Sequence, residues 1–149
     1  SAVSVEKARK VNARAIAAGR CNVQQASVTE LPFEAEQFEV VTAFETVYFW
    51  PELAQNFREV YRVLKPGGAF FICNEANGET TKDDKWTQII DGMTIYKDSQ
   101  LKAFLEQAGF QNIQIHNRKN WLCVRTMVMR KNEEEPLWSE KKRSEVPIS

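Results

Sequence analysis

Carboxylates and aromatic rings are concentrated in one short segment, "ETVYFW", which contains Glu45, Tyr48, Phe49 and Trp50. The segment directly follows the apolar run "FEVVTAF", which is typical of a buried strand. Side chains of these types at the end of a strand can line a pocket for a small molecule, and aromatic faces also attract positive charge. The alternative is an ordinary packed loop that leads into the next helix.

A second set of candidate side chains follows the apolar run "AFFIC", which is also predicted to be a buried strand. Glu75 comes soon after this run, where it either contacts a ligand or is simply solvated. Trp86 and Tyr96 lie further along, in the segment "KWTQIIDGMTIY". The pattern of that segment is consistent with either a broken helix or a lid. No residue in either set stands out as a catalytic acid, base or nucleophile.

The overall composition argues against several classes of protein. Twenty basic residues balance twenty acidic ones, so no net charge draws the chain to nucleic acid or to anionic lipid. No apolar run approaches the roughly 20 residues that a membrane helix requires. Metal-ligand spacing is absent, and the only histidine, His116, is expected to be structural rather than a base. Cys21, Cys73 and Cys123 are expected to be buried free thiols, which suits a cytoplasmic protein.

The remaining pattern predicts alternating helices and strands. Ser4 is expected to cap a first helix that carries an apolar stripe and ends at Gly19. Further helices are predicted after Pro51 and Asp98, and strands at "FEVVTAF", "AFFIC", "NIQIH" and "WLCVRTMVM". The last two strands are joined by a short polar connection, so they should pair antiparallel. This alternation predicts an open α/β sheet over residues 1–130, followed by a charged tail over residues 131–149.

The stretch "REVYRVLKPGGAFFICNE" predicts an abrupt change from helix to strand. Pro66 disfavours helical geometry at Lys65, so the helix should end there. Gly67 and Gly68 tolerate positive φ and allow a sharp reversal before the strand begins. A helix, a tight turn and a buried strand form the returning half of a β-α-β crossover.

Four segments in this order resemble the class I S-adenosylmethionine-dependent methyltransferases of the small-molecule type. They are "ASVTELPF", "FEVVTAFETVYFW", "FREVYRVLKPGGAFFICNE" and "LKAFLEQAGF". The likeness extends from about residue 1 to residue 130. It implies a Rossmann-like sheet with the strand order 3-2-1-4-5-7-6, in which strand seven is antiparallel.

The resemblance also implies which strand of the family each run represents. On this match "NVQQA" is the third strand, "FEVVTAF" the fourth and "AFFIC" the fifth. "NIQIH" and "WLCVRTMVM" are then the sixth and seventh strands. The chain would therefore carry a partial methyltransferase sheet consisting of strands three to seven, with the last strand antiparallel.

The resemblance lacks the family's first motif, a glycine-rich turn between the first strand and the first helix. None of the six glycines lies on a turn from an N-terminal strand into a helix. Ser1 falls just after the position at which the family holds the ribose with an acidic residue. We therefore expect a chain truncated at its N-terminus, lacking two strands and one helix of the family.

The resemblance implies two groups of site residues. The positions that match the cofactor side are Ser27, Val28, Ala43 and Phe44. Ser27 stands where the family often has an aspartate that contacts the adenine amino group, and Val28 would offer its backbone N–H to the ring. The positions expected on the acceptor side are Glu45, Tyr48, Trp50, Glu75, Trp86 and Tyr96. Aromatic rings there would suit the positively charged sulfonium.

The implied activity is methyl transfer from S-adenosylmethionine to a small-molecule acceptor in the full-length parent, with weak or absent cofactor binding by this chain. The alternative from a different class is a non-catalytic fragment, or an interaction module that self-associates. Without strands one and two, "FEVVTAF" would be an exposed apolar edge. This edge could be repaired within the chain, but we expect a homodimer.

Overall fold

The computed structural model describes residues 1–129, except for the side chains of Thr81, Lys82 and Asp84. The predicted tail, residues 131–149, lies outside the described residues, as does the domain boundary at residue 130. In chain order the elements are α1 Ala2–Val11, α2 Ala13–Ala17, β1 Phe38–Phe44, a short 3-10 helix Val47–Phe49, α3 Leu53–Val63, β2 Leu64–Asn74, α4 Thr81–Ile89, α5 Asp98–Gln107, β3 Gln111–Arg118 and β4 Trp121–Met127. No helix among residues 1–129 has the length and apolar character needed to cross a membrane.

The strands form one four-stranded sheet with the order β1-β2-β4-β3. β1 and β2 are parallel, whereas β4 runs antiparallel to both β2 and β3. This order is the 4-5-7-6 part of the order implied by the resemblance, so the predicted fold class is confirmed. The antiparallel hairpin β3–β4 agrees with the short connection between its strands, because a parallel crossover needs about a dozen residues or more.

The predicted reversal at Pro66-Gly67-Gly68 lies inside β2 rather than before it. α3 ends at Val63, two residues earlier than predicted, and β2 begins at once. Phe38 pairs with Leu64 but Val40 pairs with Ala69, so the intervening residues of β2 bulge out of register. A Cβ atom on Gly68 would lie 2.8 Å from the carbonyl oxygen of Lys65, which explains why only glycine fits this position.

The core lies between the sheet and the helices α3 and α5. Alternate residues of β2, such as Phe70 and Ile72, are fully buried against this layer. Phe57 from α3 contacts Phe70 edge-on with ring centroids 5.8 Å apart, and Leu101 from α5 is fully buried. The alternation along β2 turns Phe71 to the opposite face, where it is only half-buried.

The predicted third strand, "NVQQA", is not a strand in the structure, so this element of the prediction is wrong. Residues 21–26 have no regular secondary structure, and the sheet contains no strand before β1. Cys21 and Val23 are half-buried while Asn22 is exposed, so an alternating pattern is present. A strand also requires a neighbouring strand whose backbone forms hydrogen bonds with it. No described strand lies beside this segment.

The N-terminal helix differs from the prediction in two respects. Ser1, not Ser4, caps it, because the Ser1 hydroxyl accepts the N–H of Ser4 at 3.3 Å. The helix is also interrupted at Asn12, whose side chain donates to the carbonyl of Ala8 at 2.9 Å. Its end at Gly19 is confirmed, since Gly19 has a φ of 68° and follows the last turn. No residue of α1 or α2 is buried.

β1 forms one end of the sheet, so one of its backbone edges has no strand partner among residues 1–129. Two of its apolar side chains are largely exposed, Val40 at 50% and Phe44 at 60%. Neither side chain belongs to the buried core, which takes Ala43 from this strand instead.

Candidate functional site

A cavity of about 190 Å³ lies where the parallel strands β1 and β2 end. Its lining residues are Glu45, Tyr48, Glu75, Ala76, Asp83, Trp86, Met93 and Asn120. Glu45 directly follows β1, and Glu75 directly follows β2. Ligands of open α/β sheets bind beyond the carboxyl ends of the strands, so the cavity occupies the expected place for a functional site.

Glu45 joins the ends of the two strands. Its backbone N–H donates to the carbonyl of Cys73 at 3.0 Å, and its carboxylate accepts the N–H of Glu75 at 2.6 Å. Glu45 has a φ of 55°, a left-handed conformation that is uncommon outside glycine. Such backbone conformations are often found at functional sites, and here the conformation turns the carboxylate back toward the end of β2.

Tyr48 forms the buried wall of the cavity. Its hydroxyl oxygen accepts the N–H of Ala76 at 2.8 Å. Burial raises the pKa of Tyr48 to about 12, and the negative charges of Glu45 and Asp83 act in the same direction. Hydrogen bonds to the backbone of Ala76 and Glu75 oppose this shift without cancelling it. The phenol is therefore neutral at physiological pH, and it can orient a ligand but not act as a base.

The segment from α4 to residue 94 covers one side of the cavity. Asp83 is buried, and its carboxylate accepts the N–H of Gly78 at 3.0 Å. Further along, the N–H of Thr94 donates to the carbonyl of Tyr48 at 2.8 Å. Trp86 lies between these two anchors and is 43% exposed. The two predicted alternatives for "KWTQIIDGMTIY" were a broken helix and a lid. The segment contains the end of helix α4, which stops at Ile89, and its residues Trp86 and Met93 line the cavity.

Four of the six predicted acceptor-side residues line the cavity: Glu45, Tyr48, Glu75 and Trp86. Trp50 does not, because its ring stacks on Phe70 with centroids 6.3 Å apart and contributes to the core. Tyr96 also lies outside the cavity lining, and its ring contacts Phe104 edge-on at 6.1 Å. The structure therefore assigns core packing to the two aromatic residues that it leaves out of the cavity.

The four predicted cofactor-side residues do not gather at this cavity. Ser27 is exposed in a turn, where its hydroxyl is 2.7 Å from that of Thr29. Val28 is half-buried and packs against the core. Ala43 is buried at the carboxyl end of β1, whereas the side chain of Phe44 is exposed rather than packed in the core.

The cavity also contains residues that the sequence did not suggest, among them Asp83 and Asn120. Asp83 lies in a polar stretch of the sequence, and the structure places it in α4. Asn120 comes from the turn between β3 and β4 and reaches the cavity only because β4 pairs with β2. Neither residue carries a local signal that distinguishes it from a solvated side chain. Within residues 1–129 no three His, Cys, Asp or Glu side chains are grouped closely enough to hold a metal ion.

Comparison with known proteins shows that the chain is similar to methyltransferases. Residues 1–72 match the family described as "Methyltransferase domain". The chain is 44% identical over 61 residues to sterol methyltransferase-like 1 of Botryococcus braunii, a match that covers 41% of this chain and 15% of that protein. It is 30% identical over 118 residues to the cycloartenol-C-24-methyltransferase of Arabidopsis thaliana, covering 73% of this chain and 35% of that protein.

The fold is also similar to that of a methyltransferase of known structure. A solved structure of a SAM-dependent methyltransferase from Thermotoga maritima, described as a possible histamine N-methyltransferase, aligns with a TM-score of 0.63 at 17% identity. This alignment covers 75% of this chain and 67% of that chain. The chain spans only about a seventh and a third, respectively, of the length of the two relatives from Botryococcus braunii and Arabidopsis thaliana. In its matched segment, its relatives and its fold, the chain is therefore similar to S-adenosylmethionine-dependent methyltransferases.

Proposed function

We propose that the chain forms the acceptor side of a site that transfers a methyl group from S-adenosylmethionine to a small molecule. The observation that supports this proposal is the cavity at the ends of β1 and β2, lined by Glu45, Tyr48, Glu75 and Trp86. In a methyltransferase fold, this edge of the sheet is where a ligand is expected. The cofactor, when bound, supplies a methyl group on a positively charged sulfur.

The cavity residues suit a reaction that depends on alignment more than on acid–base chemistry. Tyr48 is neutral and held by the backbone of Ala76, so it can orient an acceptor with its hydroxyl group. Trp86 offers an aromatic face, which stabilises nearby positive charge. Holding reactants in the correct geometry is worth roughly 7–11 kcal/mol in favourable cases. No residue of the cavity needs to act as a nucleophile for this role.

The relatives support an apolar acceptor with a sterol-like structure. Both are described as sterol or cycloartenol methyltransferases. The cavity of about 190 Å³ lies below the range of about 300–1,000 Å³ that is usual for sites enclosing a small molecule. We therefore propose that it holds the reacting end of the acceptor, with Trp86 and Met93 providing the apolar contacts, rather than the whole molecule.

We propose that this chain by itself binds S-adenosylmethionine weakly or not at all. Within residues 1–129 no glycine-rich turn leads from a strand into a helix, so no such turn lets the backbone approach the cofactor closely. Ser27, the residue matched to the adenine position, is exposed. Titration calorimetry with the chain measures this directly. A micromolar dissociation constant would contradict the proposal and show that the residues present suffice.

Methyl transfer is tested with S-adenosylmethionine that carries a labelled methyl group, together with sterols and polar small molecules as acceptors. The assay uses the chain and any longer natural protein that contains it. We expect Trp86→Ala to raise the acceptor KM several-fold while the cofactor KM changes little. Trp121→Ala is a matched control, because Trp121 is 45% exposed and does not line the cavity. Equal effects of the two substitutions would argue against the proposed acceptor site.

Self-association is a second proposal, supported by the position of β1 at the end of the sheet. An edge strand with exposed apolar side chains is a template for pairing with another chain. Val40 and Phe44 provide such side chains on β1. Light scattering over a range of concentrations should detect a dimer of the chain, and Val40→Lys should weaken it. A monodisperse monomer at tens of micromolar protein would exclude this proposal without affecting the proposed acceptor site.

A further inference from the structure

Two thiols face each other across the antiparallel pair β2–β4. Cys73 and Cys123 are direct partners in the register of the two strands. Their Sγ atoms lie 3.0 Å apart, and both residues are half-buried. They are separated by 50 positions in the chain, so the sequence contains no local sign of the pair.

The strand geometry is compatible with a covalent bond between these two sulfurs. Directly opposed residues of antiparallel strands have Cα atoms about 4.5 or 5.5 Å apart. A disulfide requires Cα atoms about 4.4–6.8 Å apart, so either kind of opposed pair satisfies the requirement. The sulfurs have to approach one another by about 1 Å more to reach the bond length of about 2.0 Å. A change of this size is within the range of side-chain rotation and a small shift of the strands.

The pair is accessible from the face of the sheet that the helices α3 and α5 leave open. A cavity of about 290 Å³ is lined by both cysteines, together with residues that include Phe71, His116 and Arg125. A small oxidant or reductant can therefore reach the pair. The third cysteine, Cys21, lies outside this cavity lining, in the irregular segment before β1.

A metal site is the competing explanation for neighbouring thiols with a histidine nearby. His116 is the register partner of Cys123 on β3 and shares the cavity. Nevertheless, no set of three His, Cys, Asp or Glu side chains in the described part of the chain is close enough to bind a metal. The arrangement is thus a pair of sulfurs rather than a ligand cluster.

We propose that Cys73 and Cys123 form a reversible disulfide that links β2 to β4 beside the candidate functional site. With a low-molecular-weight disulfide such as oxidised glutathione as oxidant, one protein thiolate attacks a glutathione sulfur, forms a mixed disulfide and releases one glutathione thiolate. The second protein thiolate then attacks the protein sulfur of that bond and releases the other glutathione. The protein loses two protons and two electrons, and one molecule of oxidised glutathione becomes two molecules of reduced glutathione.

The cross-link would act on the strand that ends in the candidate site. Cys73 lies two residues before Glu75, and its carbonyl accepts the N–H of Glu45 at 3.0 Å. A disulfide at this position would fix the end of β2 relative to β4. Cross-links also restrict the unfolded chain, so the oxidised form should unfold at a higher temperature than the reduced form.

The test is to equilibrate the purified chain in glutathione buffers of increasing oxidised-to-reduced ratio, trap free thiols by alkylation and map the peptides by mass spectrometry. We expect a peptide pair joined through Cys73 and Cys123, lighter by about 2 Da than the two reduced peptides. The bond should disappear with dithiothreitol, and the oxidised chain should show a Tm several degrees higher.

Cys21→Ser serves as the matched control and should leave the cross-link unchanged. Cys73→Ser and Cys123→Ser should each abolish it. If a serine variant fails to fold, peptide mapping of the unmodified chain decides the question without it. Stable glutathione adducts on Cys73 or Cys123, a bond that includes Cys21, or no oxidation in fully oxidised glutathione would overturn the proposal.

Discussion

Residues 1–37 and residues 38–129 both contain apolar patterns typical of packed elements, but only the second region buries them. In α3 the side chains of Leu53, Phe57 and Val60 are buried against the sheet. In α1 no residue is buried, and Val11 is 76% exposed. An apolar stripe therefore shows which face of a helix can pack. It contributes to stability only where another part of the protein covers it.

The two regions are nevertheless connected, in part through a cluster of hydrogen bonds on α3. Arg62 donates to the carbonyls of Phe33 at 2.8 Å and Leu31 at 3.1 Å, while Glu59 accepts the N–H of Leu31 at 2.8 Å. Arg62 and Glu59 also bind each other at 2.6 Å. These contacts fix the connection just before β1, and the chain before residue 31 is held by few comparable interactions within the described residues.

The difference between the two regions is tested most directly by truncating one apolar side chain in each region and comparing the loss of stability. Phe57→Ala should lower the free energy of unfolding by about 3–5 kcal/mol, because the ring is fully buried and leaves a cavity. Val11→Ala should change it by less than about 0.5 kcal/mol, because the side chain is exposed. Urea denaturation followed by tryptophan fluorescence measures both. A large effect of Val11→Ala would mean that α1 is covered in solution, for example by a second chain.

The packed region should also lose stability at alkaline pH through Tyr48. Its pKa is raised to about 12 in the folded chain by burial, whereas an unfolded tyrosine titrates near its usual value of about 10. Between these values the unfolded state releases a proton that the folded state retains, so stability falls as the pH rises through this window. Urea denaturation at several pH values between about 9 and 12 should show this loss of stability.

Tyr48→Phe is the control for the alkaline effect. The variant has no phenol to ionise, so its stability should decline less steeply over the same range. It also loses the acceptor for the N–H of Ala76, so its stability at neutral pH should be lower than that of the unmodified chain. Parallel pH profiles of the two proteins would show that Tyr48 does not cause the loss.

The connection between the regions should weaken at acidic pH. The hydrogen bond from Arg62 is the main reason that the pKa of Glu59 lies below its usual value, and the N–H of Leu31 adds to the shift. A carboxyl group whose pKa is lowered by folding stabilises the folded state above its unfolded pKa. This contribution is lost as the pH falls through the folded pKa. Amide hydrogen exchange at Leu31 and Phe33 should therefore accelerate, relative to exchange in β2, when the pH drops below the usual range for glutamate.

Glu59→Gln tests the source of this acid sensitivity. The variant should exchange faster at Leu31 and Phe33 even at neutral pH, because Arg62 loses its charged partner. Its exchange, relative to that in β2, should then change little with acid. An acid response that matches the unmodified chain would assign the effect to another carboxylate.

The smallest effect is expected from the ion pair on α1. Lys10 and Glu6 approach to 2.8 Å, but both side chains are mostly exposed. Exposed pairs at this spacing contribute about 0.3–0.5 kcal/mol. Lys10→Ala should thus leave the free energy of unfolding almost unchanged in urea denaturation, and the small difference should shrink further at high salt. A clear loss would show that α1 contributes to the cooperative core.

The sequence by itself determined the elements whose signals are local. The compact apolar run at Phe38–Phe44 became β1, and the stripe after Pro51 became α3. The glycines after Pro66 marked a real interruption of regular pairing, and the short polar connection before Trp121 required an antiparallel hairpin. The four quoted segments also predicted the similarity to methyltransferases. In each case neighbouring residues carry the information, because periodicity and backbone restriction act over a few positions.

The tertiary structure decided which neighbouring part of the chain each of these segments packs against. Cys21, Asn22 and Val23 alternate between half-buried and exposed as in a strand, but no neighbouring strand provides hydrogen bonds, so no strand forms. Trp50 and Trp86 are equally aromatic in the sequence, yet one packs in the core and the other lines the cavity, because different elements cover them. Cys73 and Cys123 meet only because β4 inserts between β2 and β3. Such contacts depend on chain segments far apart in sequence, and local patterns carry no record of them.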